Sequence, residues 1–344
     1  MFILTSDISI GNFRFSGVHD IQIQSSVYSI VSAAIIKIPS ISKITVKDKA
    51  SPDLVVTGNQ FKEGNPVTIQ LGYNNELKTE FTGFVKSRNL NMPLEIECEG
   101  YSWLIRRNNI SGFWQTIALK ELLEKAVSDL YAGYKINVQC DLDITLRNLT
   151  VDNMCGFDLI ENISKYTDNA LSLFFIQPDT LWCGYRYIPL AKGTDFFNLG
   201  IVDYRLGYNA MDENQLTQRN PEVDLVKVIY SKRLPDGTKV SQSSDVYSQS
   251  NYTRSKVLNH ISDSDQLKQL ANEKAYQLNY TGFEGTITSF LQPFAAPGYL
   301  ANITDSRYPR LNSRYLIEGT QVNYGIDGAR RIIEIGPIVG FAKS

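Results

Sequence analysis

Apolar and polar side chains alternate with a period of two, in short bursts, along the first hundred residues. In HDIQIQS, Ile21 and Ile23 fall on one face and Gln22 and Gln24 on the other, as in a half-buried strand. ISIGNFRFSG and AAIIKIP read the same way, so residues 3–46 predict several short antiparallel strands. The stretch Phe61–Val85, FKEGNPVTIQLGYNNELKTEFTGFV, puts Val67, Ile69 and Leu71 on one face and a polar tip at Asn74 and Asn75. Its return strand runs through Phe81, Gly83 and Val85, a β-hairpin whose connection reads as longer than a two-residue turn. In LEIECEGYSWL, Leu94, Ile96 and Cys98 point one way and Glu95, Glu97 and Glu99 the other, a further strand leading out of the sheet.

The period then changes. Thr116–Leu130 carries Leu119, Leu122, Leu123, Ala126, Val127 and Leu130 at helical spacing, with Glu121 and Lys125 paired on the wet face. A second helix is predicted over Asp152–Tyr166 from Phe157, Leu159, Ile160 and Ile163. Residues 135–149 and 170–190 read as strands around them. Strand patterning returns at LVKVIY (225–230), where Asp236 and Gly237 supply a turn to the next strand, and the Ser-rich stretch 243–253 reads as a loop. One more helix is expected over Asp265–Tyr280, capped by Asp263 or Ser264, and strands fill residues 285 to the end.

The chain therefore reads β, then α+β, then β. The expectation is a mainly β fold with an α+β insert, divided at 1–105, 106–204 and 205–344, the last part carrying one helix. Gly64, Ile69 and Phe81 recur at a constant offset of 234 as Gly298, Ile303 and Tyr315. Such an echo fits either an internal duplication or two hairpins of similar loop length. A duplication would let a ring of n chains display 2n similar surfaces.

Composition narrows the function classes. The 344 residues hold 34 Lys and Arg against 36 Asp and Glu, so no field of one sign is available for nucleic acid or an anionic membrane. No apolar run approaches the ~20 residues of a membrane helix, and the start, MFILTSDISIG, lacks the marks of a signal peptide, so a chain cytoplasmic when made is expected. Cys98, Cys140, Cys155 and Cys183 lack metal-ligand spacing and read as reduced core residues. Aromatic content, dominated by 19 Tyr and 16 Phe, favours strands.

Candidate chemistry is sparse. The two histidines, His19 and His260, belong to no nucleophilic motif, and no GxSxG, HExxH or Walker-type loop occurs. A non-catalytic protein without cofactor or metal is the expectation. Arg106 and Arg107 fall far short of a basic stripe and read as surface charge at a domain junction. Asp53–Gly58, and Asp141 with Asp143, lack the spacing of a calcium loop. Trp182, Tyr185 and Tyr187 in LWCGYRY read as packing residues, or alternatively as a sugar-stacking platform.

Phe61, Gly64, Val67, Ile69, Gly72, Tyr73, Phe81, Thr82, Gly83, Phe84 and Val85, followed by LEIECEGYSWLIRR, resemble the first β-domain of the late control D family, the baseplate hub proteins of contractile phage tails. The order of parts is similar to that family from end to end, the second β-domain closing with PGYLANITDSRY and RYLIEGTQVNYGIDGARRIIEIG. The resemblance implies two tube-like antiparallel β-barrel domains plus a helix-containing domain. It also implies a homotrimer whose six β-domains form a pseudo-sixfold ring in the tail baseplate. Its implied partners are the hexameric tail tube protein, a trimeric spike and the tape-measure protein. The chain ends at Ser344 without the β-helical spike fused to type VI secretion hubs, so a separate spike polypeptide is expected. The alternative is a β-rich tail module binding a carbohydrate or receptor through Trp182, Tyr185 and Tyr187.

Overall fold

The computed structural model describes residues 3–46, 53–56, 58, 60–193, 199–211, 215–219 and 225–340. The N-terminal strands are β1 (Leu4–Ile10), β2 (Phe13–Phe15), β3 (Asp20–Ser26), β4 (Ala33–Ile38), β5 (Ile41–Val46), β6 (Asp53–Val56), β7 (Pro66–Tyr73), β8 (Glu76–Asn89) and β9 (Leu94–Glu99). They pair antiparallel in the order β3-β4-β9-β8-β7-β1. The alternation read from the sequence determines what is buried: Ile8, Ile21, Ile23, Ile36, Val67, Ile69, Leu71, Phe81, Val85 and Ile96 share one core. Each such side chain contributes about 1.5–3 kcal/mol on leaving water. Leu94–Glu99 does not lead out of the sheet. It lies between β4 and β8 and is paired on both edges, and the chain departs only afterwards, through α1 (Ser102–Ile105).

The middle of the chain forms β10 (Asn109–Ala118), α2 (Leu119–Ala126), β11 (Asn137–Cys140), β12 (Thr145–Cys155), α3 (Gly156–Tyr166), β13 (Ser172–Gln177), β14 (Thr180–Gly184) and α4 (Tyr187–Ala191). Two helices begin three or four residues later than their periodicity predicts. Thr116, Ile117 and Ala118 are held in a ladder with Arg147, Leu146 and Thr145, and Cys155 pairs with Asn109. Ladder bonds satisfy these backbone groups, and each helix starts where its strand ends. Glu121 and Lys125 do pair along α2, at 3.4 Å.

The rest comprises β15 (Ile201–Arg205), β16 (Gln215–Arg219), β17 (Val226–Arg233), β18 (Lys239–Ser243), β19 (Tyr252–Val257), α5 (Ser264–Asn279), β20 (Gly282–Ser289), β21 (Leu300–Thr304), β22 (Ser313–Gly325) and β23 (Gly328–Ile338). The expected local signals operate. Thr238 N donates to Asp236 Oδ1 at 2.9 Å in the β17-β18 turn, and Asp263 caps α5 by accepting from the amides of Asp265 and Gln266. The packing partner differs from the expected division. Val228, Tyr230, Leu258, Leu267, Leu270 and Ala271 share a core with Leu119, Leu122, Leu146, Leu159 and Ile163. The sheet β18-β17-β19 and α5 thus pack on the α+β elements, although they fall within 205–344. Conversely Val202 and Tyr204, within 106–204, join the core of the C-terminal strands. Periodicity reveals which face is buried and not what covers it.

The C-terminal strands repeat the N-terminal topology. Their order β16-β20-β23-β22-β21 is antiparallel throughout and reproduces β3-β4-β9-β8-β7, in the same chain order. Corresponding buried pairs match, Ile36 opposite Ile96 in one half and Ile287 opposite Ile333 in the other. Residues Gly319–Gly325 of β22 also pair with Ser26–Asp20 of β3, so a single sheet runs through both halves.

Candidate functional site

The opening hairpin is tighter than its sequence suggests. Asn74 and Asn75 have φ of +52° and +68°, and Tyr73 pairs directly with Glu76, giving a two-residue turn with both central residues left-handed. Asn tolerates that region because its short amide bonds locally. Here Asn74 Oδ1 accepts from Ile3 N at 3.0 Å, docking the tip on β1. Gly72 and Gly83 are required by contact, since a Cβ would lie 1.9 Å from the Glu76 carbonyl oxygen and 2.3 Å from that of Glu99. Val67, Ile69, Phe81 and Val85 face the barrel core with Phe61. Phe84 faces the opposite way and stacks on Trp103 at 5.1 Å, within the α+β core. Tyr73 Oη accepts from Leu291 N at 3.3 Å, a link to the C-terminal half.

The echo at Gly298, Ile303 and Tyr315 holds at its start and slips further on. Gly64 and Gly298 both have positive φ, +82° and +90°. Each donates its amide across the hairpin at 2.9 Å, to Val85 O and Ile317 O respectively. Ile69 and Ile303 are both fully buried. Ile69 partners Phe81, twelve residues on, but Ile303 partners Ser313, ten residues on. Tyr315 therefore corresponds to Gly83, not to Phe81. Beyond these pairs the hairpins differ: the first continues through Gln70–Tyr73 paired with Thr79–Glu76 and carries a bulge between Ile69 and Gln70 that leaves Glu80 outside the pairing, whereas the second passes from Ile303 and Ser313 into a loop with a turn at Pro309–Leu311.

That bulge aims a side chain the sequence reading missed. A β-bulge re-orients its extra residue, and the Glu80 carboxylate turns inward to meet Arg331 Nη2 of β23 at 2.7 Å, both side chains almost fully buried. Arg331 also donates to the carbonyls of Ala295 and Leu291. Burial pushes the Glu80 pKa up, against the opposing pull of the Arg331 charge. The pair ties the two β-halves together. Beside it, Val322 and Tyr324 of β22 lie opposite Ile23 and Ile21 and are buried in the N-terminal core, and Ser25 and Thr320 share a hydroxyl bond of 3.0 Å. The one sequence signal for Glu80 was a carboxylate next to Phe81 in an otherwise alternating run.

Arg106 and Arg107 are not free surface charges. Arg106 Nε donates to the buried Glu99 carboxylate at 2.8 Å and its guanidinium lies 3.4 Å from the Phe157 ring centroid. Arg107 pairs with Glu63 and covers Trp103 at 3.5 Å. They clip the first β-half to the α+β part.

The LWCGYRY aromatics are interior. Trp182 is 6% exposed and Tyr187 2%, and both pack with Val27, Phe174, Tyr280 and Leu316 where three parts of the molecule meet. Tyr185 is partly buried against the α+β core. Buried ring faces present no platform to a sugar, which corrects that alternative. Tyr187 also leaves the strand to start α4. There Glu273 accepts from the amides of Arg186, Tyr187 and Ile188 at 2.7–2.8 Å, and burial pushes its pKa up to about 7.

The remaining candidates are scattered. His19 is exposed, and His260 stacks near Tyr166 at 4.2 Å with Nδ1 3.2 Å from the Arg147 carbonyl. The four cysteines are free thiols, Cys155 at the start of α3 accepting from Asp158 N. Asp141 and Asp143 are exposed between β11 and β12, and the Asp53 side chain lies outside the described residues. Among the described residues no three His, Cys, Asp or Glu side chains are grouped to hold a metal ion.

No family model matches the chain, and no curated protein matches it. Solved structures do. The tail protein from Neisseria meningitidis MC58 aligns over 96% of each chain at 10% identity and a TM-score of 0.65. The 43 kDa tail protein of prophage MuSo2 from Shewanella oneidensis aligns over 97% of this chain and 98% of its own at 14% identity, with a TM-score of 0.63. An E. coli protein described as a component of the type VI secretion system, structurally similar to the T4 tail proteins gp27 and gp5, covers 96% of this chain and 74% of its own at 10% identity and 0.54. At these identities the likeness is one of fold, and it spans nearly the whole chain: this protein shares the mainly β fold of these phage tail proteins.

Proposed function

We propose that the chain is a structural baseplate hub protein of a phage tail or related contractile injection machine. Three copies form a ring of six similar β-domains, joining a hexameric tail tube on one face to a trimeric spike, carried on a separate polypeptide, on the other. The α+β part, with the sheet β18-β17-β19 and α5 packed on it, decorates the ring. The observation that carries the reading is the repeat of β3-β4-β9-β8-β7 as β16-β20-β23-β22-β21 within one chain. A repeated unit is what converts threefold assembly into near-sixfold presentation. The fold shared with tail proteins supports the setting. The structural work falls to the Glu80–Arg331 pair and the β3-β22 joint, which hold the two β-domains in fixed register.

Negative-stain electron microscopy of the purified protein tests this. Rings with three-fold symmetry and six inner lobes are expected, and single compact particles without rings would contradict it.

A further inference from the structure

The joint inside the chain serves as a template for a joint between chains. The outer edge of β3 is taken by Gly319–Gly325 of β22, which adds Val322, Tyr324 and Ala329 to the core around Ile21, Ile23 and Ile36. In the repeat, β16 stands where β3 stands and β8 where β22 stands. Both have edges to offer. Among the described residues β16 pairs only with β20, and β8 pairs with β7 no further than Phe84. Among the described residues the core of the second β-domain draws on residues 202–338, with no apolar side chain from the first β-domain to match the contribution of Val322 and Tyr324.

Cross-strand partners transfer the register. Ser87 leads through Glu97 and Ile35 to Gln22, and Gly319 leads through Glu334 and Thr286 to Gln215. Ser87 thus corresponds to Gly319, and Gln22 to Gln215. Since Gly319 pairs with Ser26 and Val322 with Ile23, the counterpart pairs are Ser87 with Arg219 and Leu90 with Leu216.

We propose that a second copy of this chain lays the end of its β8-β9 hairpin along β16, continuing the sheet, with Ser87 opposite Arg219 and Leu90 opposite Leu216. This surface rests on the ring reading above and says where the ring closes. Leu90, the residue that follows β8, is 74% exposed in the single chain, yet it stands at the position of the buried Val322. A large apolar side chain exposed at the end of a strand, together with a strand that pairs on one edge only among the described residues, marks a site for strand addition. The joint is heterologous, hairpin to edge, the kind that builds a ring when the rotation between copies closes, as the internal joint between the two β-domains does in the ring reading.

Separate Leu90→Cys and Leu216→Cys proteins, mixed and mildly oxidised, test the surface. A disulfide-linked pair of chains is expected in the mixture and not in either protein alone. Leu90→Asp, at a site exposed in the single chain, is expected to keep the wild-type circular dichroism and melting while the mass by sedimentation drops from three chains to one. A Leu90→Asp protein that stays trimeric, with no cross-link in the mixture, overturns this joint and leaves the ring reading standing. A wild-type protein that is a single chain at every concentration, again with no cross-link, overturns both.

Discussion

At the scale of single residues, the buried Glu80–Arg331 pair shows how a fold with no evident chemistry can depend on charge. Its two side chains come from β8 and β23, more than two hundred residues apart in sequence, and meet at 2.7 Å away from solvent. Breaking such a pair from one side strands the other charge, at a cost of about 3–5 kcal/mol, whereas replacing both partners by apolar groups is often near neutral. Arg331→Met is therefore expected to lower the urea midpoint strongly, and Glu80→Leu combined with Arg331→Met to recover most of the loss. An Arg331→Met protein as stable as the wild type would show that the pair does not hold the β-domains together. Neither residue was legible as a partner. Arg331 sits in a run, RRIIEIG, that reads as a plain strand, and only the bulge between Ile69 and Gln70 turns Glu80 inward.

At the scale of elements, one carboxylate fastens the sheet β18-β17-β19 to the α+β core. Asp168 follows α3 and is almost fully buried, accepting from Tyr230 Oη at 2.9 Å and from Lys256 Nζ at 2.6 Å, with Arg254 at 3.0 Å. Burial alone would raise its pKa, but the bonds from Lys256 and Tyr230 and the charge of Arg254 hold it below the ordinary aspartate value. A lowered folded-state pKa means that this stabilisation is fully present above the unfolded value of about 3.9 and is lost as pH falls through the folded one. Asp168→Asn is expected to cost about 1–2 kcal/mol at neutral pH, a modest figure because both cations are partly solvated. In urea titrations across pH, wild type and variant should converge as the solution is acidified below pH 4. A gap that does not close in acid would contradict this account of Asp168. Helix existence was legible in the spacing of Leu119, Leu122 and Ala126 or of Leu159, Ile160 and Ile163. Helix starts were not, because β10 and β12 extend each other by pairing, a tertiary fact. The same holds for α5, whose apolar stripe was visible while its partner, β17, was not.

At the scale of the whole molecule, the repeat was visible in sequence only at Gly64 and Gly298 and at Ile69 and Ile303. A Gly opening a hairpin with positive φ is chemically demanding, whereas most core positions accept any apolar side chain of suitable size. Ile287 and Ile333 thus correspond to Ile36 and Ile96 at different offsets, since β5 and β6 lie between β4 and β9 and have no counterpart between β20 and β23. Strand order preserves what residue identity has lost. The central claim, that this repeat serves a threefold ring, meets its most direct test in sedimentation equilibrium of the wild-type protein over a range of concentrations. The account predicts a species of three chain masses, dissociating reversibly on dilution if at all. A mass of one chain throughout, or a closed dimer, would contradict it.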